Sequence, residues 1–157
     1  MKALISAVLL LFTSFTWAIN SNFLFLQQSS TGELIKNKDH SYSLTLRDAP
    51  TYISYFTDKP KKQAGILPLS QFIELLTGKN IRNHFSTIPP NATIVMISNS
   101  GQSQNFIALL SKPHYVENAT ITYQLKIMSK DPILTGNMKY INMFIDDVHW
   151  QPNRITN

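Results

Sequence analysis

Cysteine is absent from all 157 residues of the chain. That single absence excludes disulfide staples, a thiol nucleophile and a lipid-modified N-terminal cysteine, so stability must come from an ordinary hydrophobic core. Glycine is scarce, with five residues, and none forms a Gly-rich phosphate loop. No serine occupies a Gly-x-Ser-x-Gly elbow; Ser100-Gly101-Gln102-Ser103 lacks both the first glycine and the strand-to-helix setting. Acidic residues number only nine. Glycoside hydrolysis needs two carboxyl groups roughly 5–10 Å apart, and no spacing in the sequence pairs candidates such as Asp58, Glu74 and Asp146. The net charge of +5 is scattered, with Lys59, Lys61 and Lys62 the only tight basic group. Without an aromatic-interleaved basic stripe, this balance argues against a nucleic-acid partner. There is no internal repeat and no low-complexity segment.

The clearest signal present is N-terminal. Lys2, a mainly apolar stretch over residues 3–15 and a Thr16-Trp17-Ala18 end together read as a signal peptide over residues 1–18. A stretch of about 13 residues falls short of the ~20 that a bilayer-spanning helix needs. The expectation is export to the periplasm or the medium, with no transmembrane anchor after cleavage. Losing 18 of 157 residues leaves 139 and takes away Lys2, lowering the charge from +5 to +4. That length suits one domain, residues 19–157.

Within it, short strand patterns alternate with turn residues. Residues 23–28 form an apolar run, Tyr42, Leu44 and Leu46 alternate with polar neighbours, and residues 52–57 are aromatic and β-branched. Asp48-Ala49-Pro50 predicts a turn that would let 52–57 pair with the preceding strand. Residues 93–98 and 105–110 flank Asn99-Ser100-Gly101-Gln102 as a hairpin. Over 120–128 the odd positions Ile121, Tyr123, Leu125 and Ile127 are apolar and the even ones polar, which predicts one buried and one wet face. A last strand is expected over 139–145. Phe72, Ile73, Leu75 and Leu76 follow Ser70 at helical spacing and precede Gly78, predicting a short helix with a hydroxyl cap at Ser70. Seven strands and one short helix predict a mainly β domain, an antiparallel two-sheet sandwich of immunoglobulin-like architecture.

Several motifs together carry a likeness. Tyr55-Phe56-Thr57-Asp58-Lys59-Pro60, then Gly65, a helix around Phe72, Pro89-Pro90-Asn91-Ala92, and Leu110-Ser111-Lys112-Pro113-His114-Tyr115 resemble a group of small secreted bacterial proteins. Its pattern is Tyr-Phe-Ser-Asp-Arg-Pro, Gly, a Phe-containing helix, Pro-Pro-Asn-Ala and Leu-x-x-Pro-x-Tyr. Thr57 stands for the serine and Lys59 for the arginine, which forgoes a bidentate guanidinium fork. The resemblance spans nearly the whole chain after residue 18 and implies export and a single β-rich domain; it carries no mechanism.

Candidate site residues follow from loop position and chemistry. Asp58 stands where a strand ends, and its carboxylate either braces the turn fixed by Pro60 or joins Lys59, Lys61 and Lys62 in clasping a zwitterionic or anionic ligand. Asn91 is read as a turn-forming side chain, with ligand contact as the alternative. Asp146, Asp147 and His149 form the densest potential metal group, since Asp147 and His149 share one face of an extended segment. His40, His84 and His114 are scattered. Asn91-Ala92-Thr93 and Asn118-Ala119-Thr120 match the N-glycosylation pattern, irrelevant in a bacterium. The leading expectation is a non-enzymatic binding module for an unknown protein or glycan partner, requiring no cofactor. The alternative is a small secreted hydrolase or metal-dependent enzyme using Asp58 with the lysines, or the 146–149 group.

Overall fold

The computed structural model of the chain describes residues 22–58, 61–77, 89–116 and 119–149, apart from the side chains of 147–149. The expected signal peptide, Lys59, His84, Gly78 and Trp150 lie outside these residues. Nine strands and one helix follow in order: β1 (Asn22–Ser29), β2 (Thr31–Lys36), β3 (Tyr42–Arg47), β4 (Tyr52–Thr57), β5 (Gln63–Pro68), α1 (Leu69–Thr77), β6 (Asn91–Ser98), β7 (Ser103–Val116), β8 (Thr120–Ile127) and β9 (Gly136–His149).

All nine strands belong to one antiparallel sheet, ordered β2-β3-β8-β7-β6-β9-β1-β4-β5, with β2 pairing again to β9. The second pairing closes β2, β3, β8, β7, β6 and β9 into a six-stranded barrel. The immunoglobulin-like sandwich expected from the sequence is therefore incorrect. A sandwich has two sheets with free edges, whereas here the sheet returns on itself and β1, β4 and β5 extend from β9 as a wing.

The geometry of that departure is readable in the registers. Ser29 faces Ile141 and Gly32 faces Met138, three residues on along one strand and three back along the other. β1 and β2 thus face β9 as one continuous bent strand. On the opposite side, Leu26 faces Ser54 and Thr31 faces Arg47, so five residues of β1–β2 oppose seven of β3–β4. The two extra residues are absorbed at the corner, where Asp48 takes a left-handed φ of 52°. Ser29 ties the corner together: its buried hydroxyl reaches the Thr31 carbonyl at 2.6 Å and the Arg47 carbonyl. Consequently β4 does not pair with β3 as a hairpin; it pairs with β1 and β5.

Closure depends on Gly32, which lies between Leu46 of β3 and Met138 of β9. A Cβ at this position would collide with the Thr45 carbonyl oxygen and the Ile141 side chain. Only a residue without a side chain lets the three backbones approach there.

The interior is filled by side chains, as a barrel of so few strands requires. On β8, Ile121, Tyr123 and Leu125 are fully buried, in agreement with the alternation read from the sequence. Tyr123 donates from its hydroxyl to Gln27 Oε1 at 2.6 Å, a buried bond between barrel and wing strands. The Gln27 Nε2 has no hydrogen-bond partner among the described residues, so the Tyr123 bond is what offsets the cost of burying this amide. Beyond the corner, α1 covers the inner side of the wing through Leu69, Phe72 and Leu76. It starts directly after Pro68, and the Leu69 amide donates to the Thr51 carbonyl at 2.8 Å. Ser70 is therefore inside the helix and exposed, not a cap preceding it.

Two outcomes are expected. Gly32→Ala places a methyl group against backbone and should destabilise the fold by about 2 kcal/mol or more in urea titrations; an unchanged midpoint would mean that β2 is not clamped on both sides. Tyr123→Phe should cost roughly 1–3 kcal/mol near neutral pH. Burial also pushes the Tyr123 phenol up, above its ordinary range. Below pH ~10 the phenol is neutral in both folded and unfolded chains. Above it, the unfolded chain releases a proton that the native state retains, so stability falls by about 1.4 kcal/mol per pH unit from this group. Alkaline denaturation of Tyr123→Phe should lack that component of the slope.

Candidate functional site

Asp58, Lys61 and Lys62 share the connection between β4 and β5 and are exposed. Asn91 opens β6. Between β4 and β6 lie β1 and β9, so three strand spacings, about 14 Å, separate Asn91 from that connection. The four residues do not form one clasp. Asp146, Asp147 and His149 lie within β9, which extends further than expected. Asp146 is exposed on its outer face. The side chains of Asp147 and His149 are outside the described residues. Among the described residues, no group of three or more His, Asp or Glu side chains is positioned to hold a metal ion.

Among the motif residues singled out in the sequence, Tyr55, Gly65 and Phe72 converge on packing. The Tyr55 ring meets Phe23 edge-on at 5.8 Å and Phe25 at 6.2 Å, and Phe25 meets Phe72 of α1 at 4.9 Å. A Cβ at Gly65 would sit 2.5 Å from the Tyr55 hydroxyl. Gly65 is thus required by the tyrosine that crosses β5. Similarly, the Pro90 carbonyl accepts from the Leu110 amide at 3.0 Å. Lys112 and Pro113 occupy a register shift in β7 between Ser111 and His114, with Lys112 at a φ of 47°.

An open cleft of about 480 Å³ lies beside the β2–β3 turn, lined by polar residues including Asp39, His40, Ser41 and Gln124 and by the apolar Leu125 and Ile127. Ser41 donates to Asp39 Oδ1 from its hydroxyl at 2.6 Å and its amide at 3.1 Å. These bonds hold the Asp39 carboxyl below its ordinary range, with a smaller pull from Lys112. Yet the cleft's polar groups mostly bond one another. Asn37 Nδ2 and Gln124 Nε2 both donate to Ser41 Oγ, at 2.9 and 3.0 Å, and Ser111 Oγ donates to the Gln124 carbonyl. Such bonds seal the turn onto β8 and leave little capacity for a ligand.

The outer surface of the wing and of the adjoining strands β9, β6 and β7 is chemically different. The registers align Ile66, Ser54, Leu26, Phe144, Thr93 and Ile107 in one row across β5, β4, β1, β9, β6 and β7. A neighbouring row runs from Ala64 through Phe56 to Leu24. Ile66 is 65% exposed, Tyr52 55%, Ile107 52% and Phe56 45%. Among the outward positions of β1, β4, β5, β6 and 142–146 of β9, Asp146 is the one charged residue. The barrel's other flank is more polar, with Glu33 paired with Arg47 at 2.9 Å, Ser43, Thr45, Thr122 and Lys126, and Ile35 the exposed aliphatic residue of β2 among them. The exposed apolar side chains of the outer face, interleaved with Ser54 and Thr93, make that surface the candidate functional site.

No signal for this face is available from residues taken one strand at a time, because Leu26, Phe56, Ile66 and Ile107 are far apart in sequence. Only the strand order aligns them. No protein family, curated protein or solved structure matches the chain.

Because these side chains project away from the core, replacing them should leave folding intact. Ile66→Lys and Ile107→Lys are expected to change unfolding free energy by no more than about 0.5 kcal/mol in chemical denaturation. A loss of several kcal/mol from either would show that the residue serves the core.

Proposed function

We propose that the protein is an exported, non-enzymatic interaction module that docks a protein partner through the outer face of the wing. The observation that carries this reading is the row of Ile66, Leu26, Phe144 and Ile107, exposed or half-buried, on a face with one charged residue. A docking surface of this kind gains affinity from removing apolar area from water and specificity from the polar groups at its margin. Tyr52 and Phe56 supply the rigid aromatic area in which binding energy concentrates. Asp58, Lys61 and Lys62, on the connection next to β5, fit a polar rim to that surface. Export rests on the residue 1–18 pattern and places the partner in the periplasm or outside the cell.

A photo-crosslinking residue introduced singly at Ile66, Ile107 and, as control, Thr122 tests this in cells producing the whole chain. Discrete adducts with a second protein at 66 and 107, absent at 122 and lost on Phe56→Lys, are expected. No adduct at either position, or equal labelling at 122, would contradict the proposal.

A further inference from the structure

Lysines that are scattered in the sequence are gathered by the fold at the β2–β3 turn. Gln124 Nε2 of β8 donates to Ser41 Oγ at 3.0 Å, which lays the turn on β8. On the other side of β8, Ser111 Oγ of β7 donates to the Gln124 carbonyl at 3.2 Å. Around this junction stand Lys38 in the turn, Lys112 at the β7 register shift and Lys126 on β8, with His40 beside the cleft, and all four side chains are exposed. Lys112 lies close enough to the turn to help draw the Asp39 carboxyl below its ordinary range. Lys130 follows on the loop after β8.

Positive charge prevails there. Against these lysines stand Asp39, whose Oδ1 already accepts two bonds from Ser41, and Asp131 on the loop beside Lys130. The amides and hydroxyls of the cleft are spent on one another, whereas the ammonium groups remain in water, so the surface attracts anions by charge and offers them no tight pocket. Apolar side chains border the same charges. Met128, two residues beyond Lys126, is 57% exposed. Its amide donates to the Ile107 carbonyl at 2.8 Å, which sets it beside Ile107, itself 52% exposed. A face made only to be solvated gains nothing from an exposed thioether at that point. At a lipid interface both parts are used, because ammonium groups meet phosphates while the apolar side chain enters the headgroup layer.

We infer that this surface attaches the chain to a bilayer through the phosphate groups of anionic lipids, with Lys38, Lys112 and Lys126 over the headgroups and Met128 inserted between them. The inference rests on export, which brings the chain to membrane surfaces, and is independent of what the outer face docks. β9, from which the wing extends, lies three strands from β8 in either direction around the barrel. A barrel held at β8 therefore carries its wing on the side away from the bilayer, open to a protein partner.

Sedimentation of the purified protein with vesicles tests the attachment. At low salt the protein should sediment with vesicles that contain phosphatidylglycerol and stay in solution with phosphatidylcholine alone, and added salt should release it by screening. One lysine near an anionic surface is worth roughly five-fold in partitioning, so the charge reversals Lys112→Glu and Lys126→Glu should each weaken binding ~10-fold or more. Lys139→Glu makes the same charge change on β9, across the barrel, and should leave binding nearly unchanged. The absence of cysteine lets one introduced thiol carry a dye. A polarity-sensitive dye at Met128→Cys should report an apolar environment when phosphatidylglycerol vesicles are added, and one at Ile66→Cys on the wing should not. Equal binding to phosphatidylcholine, equal losses from Lys139→Glu and Lys126→Glu, or a dye response at 66 in place of 128 overturns the inference. So does displacement by inorganic phosphate at matched ionic strength, which would mark a site for the free anion. The protein-docking reading fails by a different result, the lack of any crosslink to a second protein at 66 and 107.

Discussion

Three backbones meet at Gly32, and the rest of the architecture depends on their doing so. β2 is held there between β3 and β9, with no room for a side chain against the Thr45 carbonyl and Ile141. Were that approach lost, β2 would become a free edge and the structure would open into a twisted sheet. Because it holds, the long strand formed by β1 and β2 must bend at Ser29, with one half entering the barrel and the other leaving as the wing. Ser29's hydroxyl bonds to Thr31 and Arg47 and the left-handed Asp48 are the local adjustments that the bend demands.

The same division separates the surface into two chemistries. Around β2, β3 and β8 the outward side chains are mostly polar or charged, with Ile35 exposed among them, and several of their polar groups satisfy one another in the Asn37, Ser41 and Gln124 network. Around β5, β4, β1 and β9 they are almost uncharged. A sheet face in contact with water normally alternates to polar residues, and only one flank of this protein follows that rule. The wing's inner side is secured by Phe23, Phe25, Tyr55 and Phe72, so the apolar residues of its outer side are surplus to the core. The exterior asymmetry, more than any cluster of reactive groups, distinguishes the molecule.

Much of the fold was legible in strands with strong alternation. β8 was found nearly to the residue because Ile121, Tyr123 and Leu125 face the core while Thr120, Thr122 and Gln124 do not. The β6–β7 hairpin was marked by Gly101, which adopts a φ of 90° in the turn. Two strands were missed, and they decide the architecture. β2 reads Thr-Gly-Glu-Leu-Ile-Lys: its core-facing positions are a glycine and one leucine, so it carries almost no hydrophobic periodicity, and its membership is conferred by close approach on both sides. β5 has Gly65 at a core-facing position for an analogous reason, the Tyr55 hydroxyl above it. Seven strands without β2 suggest open sheets, and the sandwich followed from that. Asp58, Lys59, Lys61, Lys62, Asn91, Asp146, Asp147 and His149 stand out in the sequence by chemical type alone, whereas the outer face emerges only from the registers that align distant strands.

Backbone hydrogen exchange tests the closure of the barrel most directly. The amides of Gly32, Glu33 and Leu34 should include the slowest class, opening with a free energy close to that of global unfolding, while β5 amides directed away from β4 exchange by local fluctuation. Rapid exchange along β2, comparable with that of β5, would mean that the sheet does not close and would contradict this account of the fold and of its outer face.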